Sequence, residues 1–163
     1  MNRLRICAHA VSIAALAFTY AACVDALAVL PPRIATHFSG PHADGFGSKW
    51  QLVVFPVLVT ALYAALRLIE RMPLARMNLP VAATPENQEA LEPVVRAFLA
   101  CCGTTVVLTF AFIEEMMIAS AGGTLWVWMP LIFAFGLAPL VLLGIFVPLM
   151  AAAGGARKPA HKS

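Results

Sequence analysis

The segment from Leu30 to Trp50 reads LPPRIATHFSGPHADGFGSKW and lies between two long apolar stretches. It is rich in glycine, proline and histidine, whereas the residues on either side are mostly apolar. Apolar stretches of about 20 residues cross a bilayer as helices, and irregular polar backbone does not. The segment therefore predicts a loop that joins two membrane spans.

The composition of the whole chain agrees with a membrane protein. Of the 163 residues, 61% are hydrophobic and 12% are charged, whereas a soluble domain carries about 25% charged residues. The net charge is +3, and the basic residues lie near the ends of the apolar stretches rather than along one stripe. We expect no nucleic-acid partner, because such binding needs a clustered basic footprint.

Four apolar stretches are long enough to cross a bilayer as helices. They predict transmembrane helices at residues 6–30, 50–69, 94–119 and 124–153. An outer loop at 31–49 and a proline-rich cytoplasmic linker at 70–93 connect them, and a basic tail follows at 154–163. The expected fold is all-α: a single polytopic membrane domain with four transmembrane helices in two helical hairpins.

The linker contains a signal for a short surface helix. Thr84, Pro85 and Glu86 form a typical helix start, in which threonine is the N-cap and proline takes the first helical position. Pro93 lacks the N–H group that a helix interior needs. We therefore expect Pro93 to separate this surface helix from the third span.

The positions of lysine and arginine predict the orientation. If both termini are cytoplasmic, nine of the 11 basic residues face inward and only Arg33 and Lys49 face outward, which is the positive-inside pattern. The first span also has features of a signal peptide, because Arg3 and Arg5 precede it and the residues 26–28 (ALA) fit a cleavage site. Its apolar run is long for a signal peptide, so a retained helix is favoured.

Polar side chains are densest in the outer loop. His37, His42 and Asp44 are of the residue types that bind zinc and other divalent metals, so they are the candidates for a metal site. Their spacing matches no known metal motif, and a turn at Asp44-Gly45 accounts for the same residues. No metal is therefore assigned.

Three acidic residues, Asp25, Glu114 and Glu115, lie within the predicted spans. An ionisable group inside a bilayer is costly unless it faces protein, water or a partner. In the predicted topology these buried acids lie toward the outer leaflet, beneath the histidines of the loop, where they would line a polar cup for a cation or a peptide. Alternatively, Glu114 and Glu115 only mark the interfacial end of the third helix.

The loop, the second span and the linker share short motifs with a family of bacterial membrane proteins. The shared residues are Leu30-Pro31, Ile34, His37-Phe38, the run DGFGSK at 44–49, Pro56, the run MNLP at 77–80 and Pro85-Glu86. On these residues the chain resembles the family called domain of unknown function 1648, which forms the N-terminal part of SdpI-type toxin-immunity proteins. The resemblance implies a short four-helix member in a bacterial inner (cytoplasmic) membrane.

The loop composition and the resemblance together predict a binding or sensing protein, or a toxin-immunity protein. The expected ligand-recognition surface consists of His37, Phe38, His42, Asp44, Gly45, Gly47 and Lys49. The expected partners are the lipid bilayer, an extracellular peptide ligand, and a membrane or regulator protein.

Other functions stay open at this point. The chain could be a small ion or solute transport component that uses Asp25, Glu114 and Glu115, or a structural accessory subunit. No nucleophile–base pair, pair of catalytic acids or cofactor fingerprint stands in a suitable context. We therefore expect neither an enzyme nor a cofactor.

Overall fold

The structure is a computed structural model that describes residues 1–39, 42–121 and 129–155. Its long helices are α1 (Asn2–Val29), α2 (Val54–Glu70), α3 (Gln88–Ser120) and α4 (Met129–Gly155). Between α1 and α2 lie strands β1 (Arg33–Ser39) and β2 (His42–Ser48), followed by a 3-10 helix (Lys49–Val53). A second 3-10 helix (Leu74–Arg76) lies in the linker between α2 and α3.

Within the described residues, four helices are long and apolar enough to cross a membrane. The candidate spans are Asn2–Val29, Lys49–Glu70, Gln88–Ser120 and Gly136–Gly155. Their outward faces carry exposed apolar side chains such as Ile13, Leu68 and Leu140, which suit contact with lipid. The prediction of an all-α polytopic membrane protein is therefore confirmed. The predicted start of the fourth span and most of the basic tail lie outside the described residues.

The segment between α1 and α2 is a β-hairpin rather than an irregular loop. Strands β1 and β2 pair antiparallel, from Arg33 opposite Ser48 to Ser39 opposite His42. Two residues, Thr36 and Asp44, have no partner in the register and form β-bulges. Glycine is unfavourable in β-strands, so the glycines of this segment argue against a hairpin when only the sequence is considered. The close cross-strand packing described below requires them.

Helix α3 is the centre of the bundle. It packs extensively against α1, α4 and α2, whereas α1 and α2 share few direct contacts, so the helices are not two isolated hairpins. The α3-facing side of α1 is a seam of small buried residues: Ala8, Ser12, Thr19, Cys23 and Ala26. Small side chains let two helices approach closely in a membrane. Thr104 of α3 adds polar contacts to this seam, at 2.9 Å from both the Ser12 hydroxyl and the Ala8 carbonyl oxygen.

The prediction that Pro93 separates a surface helix from the third span is wrong. Helix α3 runs without a break from Gln88 to Ser120 and contains Pro93. Leu91 and Val95 are fully buried on either side of it, in an apolar cluster with Phe146 of α4. Burying such a side chain contributes about 1.5–3 kcal/mol, and two of them offset the loss of about 3 kcal/mol from an interior proline.

The predicted helix start at Thr84 is also displaced. The Thr84 carbonyl oxygen accepts bonds from the N–H groups of Asn87 and Gln88, so a turn precedes the helix. The buried Asn87 amide then donates to the carbonyl oxygens of Ala82 (3.0 Å) and Gly154 (3.3 Å), which ties the linker to the end of α4.

The bundle thus has two distinct ends. The hairpin end comprises the β-hairpin and a cluster of Cys23, Ala26, Ile34, Leu52 and Met117 beneath it. The N-terminal end comprises the start of α1 and α3, the end of α2 and α4, and the linker.

Candidate functional site

The exposed face of the β-hairpin carries a hydrogen-bonded polar group. The His37 ring nitrogen Nδ1 lies 2.5 Å from Oδ1 of Asp44, and the Ser39 hydroxyl donates to Oδ2 at 2.5 Å. The side chains of His37 and Asp44 are 74% and 42% exposed. The hydrogen bond from Ser39, and then that from His37, hold the pKa of Asp44 below its ordinary value. Both carboxylate oxygens are therefore occupied from within the hairpin.

The candidate metal ligands are only partly brought together. Asp44 contacts His37, whereas the His42 side chain makes no hydrogen bond or ion pair with another described residue. His42 lies opposite Ser39 in the strand register. Across the described ranges, no three His, Cys, Asp or Glu side chains are grouped as metal ligands. His37 and Asp44 alone make an incomplete ligand set.

Gly45 and Gly47 are needed for close packing in the β-hairpin. A Cβ atom at Gly45 would lie 2.8 Å from the Cβ of His37, its cross-strand partner. A Cβ atom at Gly47 would lie 2.9 Å from the Thr36 methyl group and 2.5 Å from the Gln51 amide oxygen. All three distances are shorter than van der Waals contact, so these glycines fix the hairpin's shape rather than offer side chains to a ligand.

Lys49 joins the β-hairpin to α1. Its Nζ donates to the carbonyl oxygens of Leu27 (2.7 Å) and Leu30 (3.0 Å), at the C-terminal end of α1. A cation there satisfies helix carbonyls that have no partner in the helix and interacts favourably with the helix dipole. Lys49 therefore orients the hairpin on the bundle. Phe38 lies in β1 and is half-buried.

The three predicted buried acids do not share one environment. Glu114 is 1% exposed, and both of its carboxylate oxygens lack a hydrogen-bond partner among the described residues. Glu115, next to it on α3, is half-buried. The Cys23 thiol of α1 is a neighbour of the Glu114 carboxyl, which lies one helical turn from Met117 and thus beneath the base of the hairpin.

Asp25 lies within the candidate span of α1 but does not face the protein interior. Asp25 is exposed, whereas Cys23, two residues earlier, is buried against α3. Two residues rotate a side chain by about 200° around a helix, so Asp25 points away from the α1–α3 interface. It cannot line a cup with Glu114.

The structure also shows an ionic network that sequence reasoning missed. At the N-terminal end, His9 of α1 lies 3.0 Å from the Tyr63 hydroxyl and 3.2 Å from the Glu70 carboxylate. Arg67 contacts both Glu70 and His9, and Glu70 is only 5% exposed. The sequence features that could have indicated this network are a lone histidine near the start of α1 and a tyrosine at the matching depth of α2. Each lies within an apolar stretch.

Comparison with known protein families gives a match to part of the chain. Residues 12–60 match the family model described as Domain of unknown function (DUF1648). No curated protein matches the chain, and no solved structure matches it. The matched segment contains most of α1, the whole β-hairpin and the first part of α2. The predicted resemblance is confirmed over this segment, which is centred on the β-hairpin.

Proposed function

We propose that the protein is a non-enzymatic receptor or immunity protein whose β-hairpin binds an extracellular peptide. In this proposal it lies in a bacterial inner membrane with both termini in the cytoplasm, which places the β-hairpin outside. The observation that carries the proposal is the free edge of β2. The sheet has two strands, and among the described residues β2 pairs with β1 alone. The backbone N–H and C=O groups along the other edge of β2 can therefore pair with a peptide.

An exposed sheet edge is a recognised way to bind an extended peptide, which adds to the sheet as a further strand. Strand β1 packs against α3 through Ile34, so β2 is the more accessible of the two. Beside its edge β2 presents the exposed side chains of Asp44 and Phe46. An acid and an aromatic ring together favour a peptide with basic and apolar side chains.

The base of the β-hairpin supports a signalling role. Ile34 and Leu52 are fully buried against Met117 near the end of α3. Because α3 contacts every other helix, a shift of the hairpin would reach the whole bundle. A regulator or membrane protein on the cytoplasmic side would then read the shift.

Transcript profiling of a deletion strain tests this function. The strain is complemented with wild type, with Asp44→Ala, or with Asp25→Ala as the matched control. Asp25 is an exposed acid at the same end of the bundle but outside the β-hairpin. We expect wild type and Asp25→Ala to restore the profile and Asp44→Ala to fail at equal membrane abundance. Full restoration by Asp44→Ala, or an unchanged profile in the deletion strain, would contradict the proposal.

A second candidate function, an ion or solute transport component, is favoured by Glu114. A buried carboxylate without a hydrogen-bond partner is costly, and a cation or proton would supply the missing partner. Flux of a monovalent cation or of protons into proteoliposomes tests this function, with Glu115→Gln as the control for Glu114→Gln. We expect only Glu114→Gln to abolish flux, whereas unchanged flux in that variant would exclude the transport function.

A further inference from the structure

The N-terminal end of the bundle carries a basic cleft, here called the basic cup. It has a volume of 370 Å³. Its lining consists of Arg5, Ile6, His9, Arg67, Glu70, Arg71 and Arg96. Four arginines thus surround one carboxylate, and the cup has an excess of positive charge even with a neutral histidine.

Two of these arginines are already engaged within the protein. Arg67 contacts Glu70 at the floor of the cup. Arg96 contacts the Glu92 carboxylate at 3.0 Å and donates to the Met72 carbonyl oxygen at 2.9 Å. These bonds fix the cup's wall, but they leave its charge unbalanced.

The other two arginines form no ion pair with an acidic side chain among the described residues. Arg5 donates to the side-chain oxygen of Asn2, a neutral group, at 3.1 Å. Arg71 is exposed, and its guanidinium group makes no hydrogen bond or ion pair within the part of the chain that the structure describes. A guanidinium group can bind a phosphate with two parallel hydrogen bonds. A phosphate is therefore the group that matches two guanidinium groups that form no ion pair with a described acid.

The position of the cup favours a phosphate that belongs to a lipid. Arg5 lies near the start of the span Asn2–Val29, and Arg71 directly follows the span Lys49–Glu70. These depths correspond to the headgroup layer of a bilayer, where clustered basic side chains bind anionic lipids.

We propose that the basic cup binds the phosphate group of an anionic phospholipid through Arg5 and Arg71. Free phosphate shares this chemistry, so the test must separate the two sources. The full chain is purified in a neutral detergent and titrated with phosphatidylglycerol, with phosphatidylcholine, or with inorganic phosphate. Native mass spectrometry counts the bound molecules, and the shift of the unfolding temperature reports on the affinity.

The test variants are Arg5→Gln, Arg71→Gln and both together, since neither side chain is part of the apolar core. The matched controls are Arg3→Gln and Arg76→Gln, which remove exposed charges from the same end without touching the cup. We expect wild type to retain phosphatidylglycerol but not phosphatidylcholine. Each cup substitution should weaken the affinity about 5-fold, and both together about 30-fold.

Three results would overturn the proposal. The first is an equal loss in the cup variants and in the controls, which would indicate general electrostatic attraction. The second is undiminished phosphatidylglycerol binding by the double variant. The third is binding of inorganic phosphate, with the same dependence on Arg5 and Arg71, in the absence of phosphatidylglycerol binding.

Discussion

At the N-terminal end of the bundle the Glu70 carboxylate is buried between Arg67 and His9, whereas at the hairpin end the Asp44 carboxylate is exposed beside His37 and Ser39. Both acids have two partners, but only the first is removed from water. Charges in a low dielectric interact strongly and cannot be left unpaired, while exposed charges are screened. The buried network around Glu70 therefore holds helices together, whereas the exposed group around Asp44 shapes a surface.

The largest expected effect is at Glu70. Substituting Glu70→Ala leaves Arg67 and His9 without their carboxylate, and breaking a buried ion pair costs about 3 kcal/mol. This cost lies at the lower end of the range for buried ion pairs because Arg67 is partly exposed. The free energy of unfolding is measured by circular dichroism during titration with a denaturing detergent.

Glu92→Ala is the matched control for Glu70→Ala. Its carboxylate also pairs with an arginine, Arg96, but the Glu92 side chain is 45% exposed, against 5% for Glu70, so its loss should cost less than about 1 kcal/mol. Equal losses in the two variants would remove the contrast between a buried and an exposed ion pair.

The next effect concerns the shape of the β-hairpin. In Gly45→Ala the added methyl group collides with His37, and overpacking of this kind costs about 1–3 kcal/mol. Hydrogen exchange should then accelerate at the amides of β1 and β2 while the helices keep their protection. Gly144→Ala in α4, where an added methyl group meets no atom within 4 Å, should leave exchange unchanged. Unchanged protection of the hairpin amides in Gly45→Ala would show that the close approach of residue 45 to His37 does not affect the stability of the hairpin.

A smaller effect is expected at the junction of the β-hairpin and α1. Lys49→Met removes two hydrogen bonds to the end of α1, and such a cap contributes about 1 kcal/mol. Hydrogen exchange at the last turn of α1 should accelerate. Arg33→Met removes one exposed bond, to the Phe46 carbonyl oxygen, and should have less effect on the same amides. Equal acceleration of hydrogen exchange at the last turn of α1 in Arg33→Met and Lys49→Met would show that the effect is not specific to the hydrogen bonds of Lys49.

Hydropathy predicted the membrane-spanning architecture, because a bilayer allows only a few backbone solutions. The β-hairpin was not predicted, since its strands contain glycine at two positions and bulges at Thr36 and Asp44 that break the alternation. Nor was the continuity of α3 through Pro93, because local propensity takes no account of the burial of Leu91 and Val95. Local signals thus failed where tertiary packing decided the outcome.

The candidate site was predicted unevenly for a similar reason. His37 and Asp44 do meet, because seven residues of sequence return the chain across one hairpin. The contact between His9 and Glu70 joins residues 61 positions apart, and no local pattern shows which faces of α1 and α2 meet. The burial of Glu114 and the exposure of Asp25 depend in the same way on helix rotation.

The smallest expected effect, and the most specific, is the titration of Asp44. Its pKa in the folded protein lies below the ordinary value of 3.8, first because of Ser39 and then because of His37. The stabilisation that follows is present above that ordinary value and is lost as the pH falls through the folded pKa. Carbon-13 NMR of the Asp44 carboxyl measures the midpoint, which should rise in Ser39→Ala and, by a smaller amount, in His37→Gln.

His42→Gln is the control for the Asp44 titration, because it changes a histidine of the same β-hairpin that does not contact the carboxylate. Its midpoint should equal that of wild type. A wild-type midpoint at or above 3.8, or an equal shift in His42→Gln, would mean that the hydrogen bonds to Asp44 do not persist in solution. The exposed carboxylate would then be free to bind an incoming ligand without first breaking hydrogen bonds within the hairpin. The polar group at the hairpin end would then be less ordered, as well as more exposed, than the network at the N-terminal end.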